Sequence, residues 1–416
     1  MKKFSLFLWG AAVLMTFAIQ SCNKESAKTA AGENQQENAT TAMMSENGAN
    51  PDETMLTAGS SGRVEMTAEN SVGNSRHNNG HYLYSESNEA GTNQIYIYQI
   101  SHDGSLISQG SAASGGMGTG TNLGSQGAVT ISEDHEWLFA VNAGSNSVSS
   151  FKVNNDGSLT LAHTESSEGT MPVSVSIRHN LLYVLNFASD NIHGFWVGGD
   201  GSLTHVDGST QPLSGTGVVP PQISFTPNGN WVIVTEKATN NISSFKVKAD
   251  GSVWPPTVTA STGMTPFGFD FGRDGFMVVS NAAGGAAGAG SATSYRIGGN
   301  GVPHDVNGAV PSGQAAPCWV ATTEFGRFAF VSNTGSNTIS SYYIAPGGRL
   351  FLVDKAAVTT GTAPADIVVA KNNYHVYALN TKAGSIGEYH RKFLGGLETI
   401  GTVSGLALST TGLAIF

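Results

Sequence analysis

The chain has 416 residues, of which 53 are glycine and only 12% are charged, about half the usual ~25% charged share. Hydrophobic residues at 39% still supply a large core, so short strands joined by tight turns are expected, and a helical bundle, a coiled coil or a disordered chain is excluded. A formal charge of −10 disfavours nucleic acid and anionic headgroups as partners.

The first segment reads as an export signal. Lys2 and Lys3 form a positive start, and Phe4 to Ile19 is an apolar run too short for a confident membrane span. It ends in Ile19-Gln20-Ser21-Cys22, which resembles the lipobox of bacterial lipoproteins, with Cys22 as the lipidated residue. Asn23 lacks the acidic signature of inner-membrane retention, so the expectation is an exported protein, anchored by lipid to the cell envelope at the outer membrane. After Cys22 only Cys318 remains, so the exported domain has no internal disulfide.

Residues 22–78 are polar and poor in large hydrophobics, which makes them a flexible tether. From residue 79 to 416 one unit recurs. It is an apolar strand ending in Asn, a short turn, a strand ending in an aromatic, and a glycine turn. Phe139-Ala-Val-Asn142, Phe151 and Gly157 form one copy; Tyr183-Val-Leu-Asn186, Phe195 and Gly201 form the next. The turn glycines fall at Gly104, Gly157, Gly201, Gly251, Gly301, Gly348 and Gly395, with spacings of 44 to 53 residues. That period, with about four strands per unit, predicts an all-β protein, a seven-bladed β-propeller of four-stranded antiparallel blades. A second count uses the short strands that open each unit, among them Gln222-Ile-Ser-Phe225 and Asp366-Ile-Val-Val369, and also reaches seven. The seventh is Gly412 to Phe416, at the other end of the repeat from Tyr82. Ring closure is therefore expected, with this strand completing the first blade and leaving no unpaired edge.

Gly124-Ser-Gln-Gly127, Val141-Asn-Ala-Gly-Ser-Asn-Ser-Val148, Thr235-Glu-Lys-Ala-Thr-Asn240 and Thr265-Pro-Phe-Gly-Phe269 resemble the seven-bladed lactonase family. That family is similar to bacterial 6-phosphogluconolactonase and fungal carboxymuconate-lactonizing enzyme. The resemblance implies lactone opening by a general base, with Glu236 in the place of the family's acid. The family's Pro-His pair is not matched, because the corresponding positions read Pro172-Val173, Pro221-Gln222 and Pro317-Cys318. Cationic residues of the family are also missing, which disfavours phosphorylated or tricarboxylate substrates.

Strand direction sets where a site would lie. The residues opening the inner strands and those ending the second strands ring one mouth of the central channel, the default ligand site of the fold. The first set supplies Gln126, Gln222, Phe267, Cys318, Trp319 and Asp366; the second supplies Asn142, Asn186, Glu236, Lys237, Asn281, Asn333 and Asn380. Glu236 and Gln222 are the expected catalytic residues and the others the expected substrate contacts, although the Asn series equally suits left-handed turns. Lys237 and Lys382 are the cations of the ring, and Glu236 is read as the one acid that breaks the Asn series. Two functions stay open. One is a lactonase-like hydrolase of a sugar or other small lactone. The other is a non-catalytic tethered propeller that binds a glycan, a peptide or an envelope partner. The protein is expected to be a monomer without a cofactor, touching the membrane only through its lipid; a calcium ion on Glu236 is a weaker alternative.

Overall fold

A computed structural model describes residues 81–416. The expected signal sequence, Cys22 and the expected tether over 22–78 lie outside the described residues. Seven antiparallel sheets form a ring, six of four strands and one of five. The first blade is completed by Thr411–Ile415, which lies inside His81–Glu86, Gln94–Ile100 and Leu106–Ala113. The other inner strands are Val129–Ile131, Pro172–Arg178, Gln222–Phe225, Pro266–Phe271, Pro317–Thr322 and Pro364–Val369. The extra strand belongs to the third blade, whose outer edge is split into Leu203–His205 and Gln211–Pro212.

Closure occurs as the repeat count requires. Tyr84 faces Ala414 and Leu83 faces Ile415 across an antiparallel ladder. Tyr82 N–H donates to Phe416 O at 3.3 Å, and Phe416 N–H donates back at 3.1 Å.

The spacing of the glycines has a packing cause. All seven turn glycines have a positive φ, between +76° and +87°, where a side chain is strained. A Cβ at these positions would also run into a ring of the preceding blade: Tyr82 over Gly157, Trp137 over Gly201, Trp231 over Gly301 and Phe276 over Gly348. Three tyrosine hydroxyls seal the same seams, Tyr84 to Gly157 O, Tyr183 to Gly251 O and Tyr377 to Gly104 O, each at 2.8 Å. The turn glycine and a ring at the start of the preceding blade's second strand, not the aromatic that ends the third strand, thus make the blade-to-blade contact at these four seams. At the seam from the seventh blade to the first the covering ring is His375 over Gly104.

Inner strands of a propeller leave one backbone edge facing the channel, and polar side chains satisfy it here. The Gln222 amide takes Phe269 N–H at 2.7 Å and donates to Phe269 O at 2.8 Å. Asp270 receives Thr322 N–H at 2.8 Å, Ser176 receives Phe225 N–H at 3.0 Å, and Asp366 receives Leu413 N–H at 2.9 Å. Each bond links one inner strand to that of the next blade.

Candidate functional site at the channel mouth

The second-strand series does not form the surface of the mouth. Asn142, Asn186, Asn281, Asn333 and Asn380 are buried, and each turns back into its own blade or the loop above it. Asn142 donates to Ser149 at 2.8 Å, Asn281 to Thr293 at 2.9 Å and Asn333 to Ser340 at 2.8 Å. Asn186 donates to Ser167 O at 2.9 Å, and Asn380 reaches Ser385 at 3.4 Å. Glycines of the incoming loops lie on four of these amides, Gly116 on Asn142, Gly169 on Asn186, Gly263 on Asn281 and Gly361 on Asn380. The arrangement braces the hairpin and the loop above it.

The expectation of a single acid in the series is corrected. The first blade carries Glu86 at the equivalent strand end, so the ring holds five asparagines and two glutamates. Burial pushes the Glu86 carboxyl well above the usual range, against a pull from the Asn93 side chain.

Glu236 is fully buried, and its two oxygens receive four donors. Oε1 accepts Ser214 N–H at 3.1 Å and Ser243 Oγ–H at 2.6 Å; Oε2 accepts Thr239 Oγ1–H at 2.7 Å and the Ser214 hydroxyl. Where four other blades lay a glycine over an asparagine, this blade lays Ser214 over a glutamate. The carboxylate therefore communicates with solvent through hydroxyls, those of exposed Thr239 and half-buried Ser214. Among the described residues no group of three or more His, Cys, Asp or Glu side chains is gathered for a metal ion.

The inner-strand set forms the floor of the mouth. Gln126 crosses the channel from the second blade to the sixth, donating to Val320 O at 2.8 Å and accepting Val320 N–H at 3.3 Å. Asp366 is buried, and burial pushes its carboxyl up to about 8 against the pull of the Ile367 and Leu413 N–H groups. Cys318 is buried, with Sγ 3.2 Å from Ala316 O, and Trp319 lies buried beside it. Gln222 is committed to the backbone of Phe269, so it shapes the floor.

What reaches the surface of the mouth is a cation on an aromatic ring. Lys237 Nζ stands 4.1 Å from the centroid of Phe267, whose ring meets Trp319 edge-on at 4.7 Å. Both Lys237 and Phe267 are half-buried. The geometry offers an apolar face, one positive charge beside it, and hydroxyls backed by a buried carboxylate. That set can hold a small neutral ring, polarise a carbonyl oxygen and accept a proton. The expected contacts are thus divided. Lys237, Phe267, Trp319, Cys318, Gln222 and Gln126 converge on the mouth, whereas the five asparagines are spread around the ring inside their blades.

Residues 74–220, which hold the first three blades except the closing strand Thr411–Ile415, match the family described as Lactonase, 7-bladed beta-propeller. A candidate 6-phosphogluconolactonase from Bacteroides fragilis is similar in structure, with a TM-score of 0.67 and 18% identity, over 83% of this chain and 99% of that one. The periplasmic gluconolactonase PpgL of Pseudomonas aeruginosa gives a TM-score of 0.64 at 18% identity, over 81% of this chain and 98% of its own. No curated protein sequence matches the chain. The resemblance to the seven-bladed lactonases therefore holds in sequence over three blades and in fold around the whole ring, and in this sense the chain is lactonase-like.

Proposed function

We propose that the chain is a hydrolase that opens a small, weakly charged lactone at the mouth beside Phe267. The observation carrying this reading is that one turn, residues 236 to 240, sets Lys237 over the Phe267 ring and carries the exposed Thr239 hydroxyl, which donates to the buried Glu236 carboxylate. The lactone ring lies on Phe267 with its carbonyl oxygen toward Lys237 Nζ. A water on Thr239 Oγ1 attacks the acyl carbon. Its proton passes to the hydroxyl as the hydroxyl proton passes to Glu236, so the carboxylate acts as a base through one intervening group. Lys237 stabilises the oxyanion. On collapse the acyl–oxygen bond breaks, and the ring oxygen takes the proton back, leaving a hydroxy acid. One lysine beside the Phe267 ring, without an arginine fork, suits a neutral sugar lactone better than a phosphorylated one. In the same reading the domain works as an exported monomer without a cofactor, held to the envelope by the lipid on Cys22.

A second reading is favoured by the four donors around Glu236, which leave it little freedom to act as a base. In that reading the Lys237–Phe267 face binds a lactone, a glycan or another small ligand without turning it over. Titration of acid release from a panel of neutral lactones separates the two. Glu236→Gln keeps Oε1 for Ser214 N–H and Ser243, and puts Nε2 against two hydroxyls that can turn to accept, so the fold should survive. Hydrolysis by the wild type with a loss of about 10²–10⁴-fold in Glu236→Gln supports the hydrolase. Equal turnover removes Glu236 from the reaction, and a wild type that binds lactones without hydrolysing any of them supports the binding module.

A further inference from the structure

The eleven histidines are scattered along the sequence, but closure of the ring gathers several of them at the opposite end of the propeller. A cleft of about 480 Å³ opens between the seventh blade and the first, beside Phe416. Blade 1 contributes His81, His102 and Asp103; blade 7 contributes Lys371, His375 and His390. The volume is that of a small-molecule site.

Among the side chains of the lining, basic groups outnumber acids, and the Phe416 main-chain oxygen lies 3.3 Å from His81 Nδ1. Asp103 is the lining's acid side chain, and it already accepts from Ser105 N–H at 3.1 Å and Ser105 Oγ–H at 2.8 Å, which with Ser101 hold its carboxyl down to about 2. Facing it are the Lys371 ammonium and four imidazoles. His375 is packed under Gly104, and burial pushes it below the usual histidine range. His81, His102, His390 and Lys371 are exposed. The groups flanking it are Glu388, which receives Leu106 N–H at 3.3 Å, and Arg391, whose guanidinium is 5.3 Å from the Tyr374 ring. His135 of the second blade reaches Lys371 from the channel side. Tyr374 is 50% exposed and stacks on His390 with ring planes 10° apart, which gives the rim a flat apolar platform.

From this cleft we infer a second ligand site, distinct from the mouth, that takes a small organic anion: a carboxylate set among Lys371 and the imidazoles, with a sugar-like or flat body against Tyr374. Charge selects the anion, and the stacked pair Tyr374–His390 supplies the apolar contact.

The test is titration calorimetry of the full chain with gluconate and with glucose, which differ in charge at nearly the same size. Gluconate should bind at least about tenfold better than glucose. Lys371→Met and His390→Gln, both at exposed positions, should each weaken gluconate by about tenfold or more. Lys237→Met at the mouth should leave it unchanged. The inference is overturned if gluconate does not bind, if glucose binds equally well, if neither cleft variant alters affinity, or if Lys237→Met abolishes binding.

Discussion

Removing Gly412 to Phe416 is the sharpest perturbation of the closure. Leu413, Ala414 and Phe416 are each less than a tenth exposed, and the Phe416 ring lies 5.8 Å from Tyr82, 6.1 Å from Tyr84 and 4.9 Å from His135. Burial of Leu413 and Phe416 contributes about 1.5–3 kcal/mol each. The lost hydrogen bonds include both bonds between Tyr82 and Phe416, Ser85 Oγ–H to Gly412 O at 2.7 Å, and Leu413 N–H to Asp366 at 2.9 Å. At about 1 kcal/mol each they bring the total to roughly 7–10 kcal/mol, comparable with the whole stability of a typical domain. The truncated chain should melt at least about 10 °C below the wild type by circular dichroism or calorimetry, or fail to fold. Phe416→Ala alone should cost about 3–4 kcal/mol. A truncated chain melting within about 2 °C of the wild type would refute the idea that this strand carries the closure.

The other predictions concern buried groups. Asp366 is protonated in the folded chain up to about pH 8, whereas an unfolded aspartate ionises near 3.9. The folded state therefore holds the extra proton across this window, and the stability it gives is full below about pH 4 and is lost as pH rises through about 8. Stability to urea should fall by about 2 kcal/mol between pH 6.5 and 8. Asp366→Asn should flatten that fall; an equally steep fall in the variant would assign the slope to other groups. Glu86, raised by burial in the same direction, should tolerate Glu86→Gln with equal or higher stability at pH 8, and a large loss there would show that its charge is used. Cys318, 5% exposed, should react with a maleimide in a Cys22→Ser background only on unfolding; rapid labelling of the folded chain would place the thiol on an open surface.

The fold was legible because its marks in the sequence are steric. Gly157 or Gly301 needs both a positive φ and room under a ring of the preceding blade, so the glycine recurs in every blade. Part of the mouth was legible too, since Phe267 and Lys237 occupy an inner-strand opening and a second-strand end, which strand direction alone puts together. The direction of the Asn142 and Asn333 side chains was not legible, because it depends on which hydroxyls of the next strand and which loop backbone meet them. Glu86 escaped notice because the first copy of the motif reads clearly only to Ser85, without the asparagine that marks the strand end elsewhere. His81, His102, His375 and His390 are up to 309 positions apart, and only the closure of the ring makes them neighbours.

The central claim is that recognition takes place at the mouth where the inner strands begin, on Phe267 and Lys237. A sugar lactam, which keeps the shape of a lactone and resists hydrolysis, measures this directly by calorimetry, whether or not the chain is catalytic. The account predicts one lactam per chain, with affinity at least about tenfold lower in both Phe267→Ala and Lys237→Met and unchanged in Lys371→Met. Wild-type affinity in both mouth variants, or loss of binding in Lys371→Met alone, would contradict it.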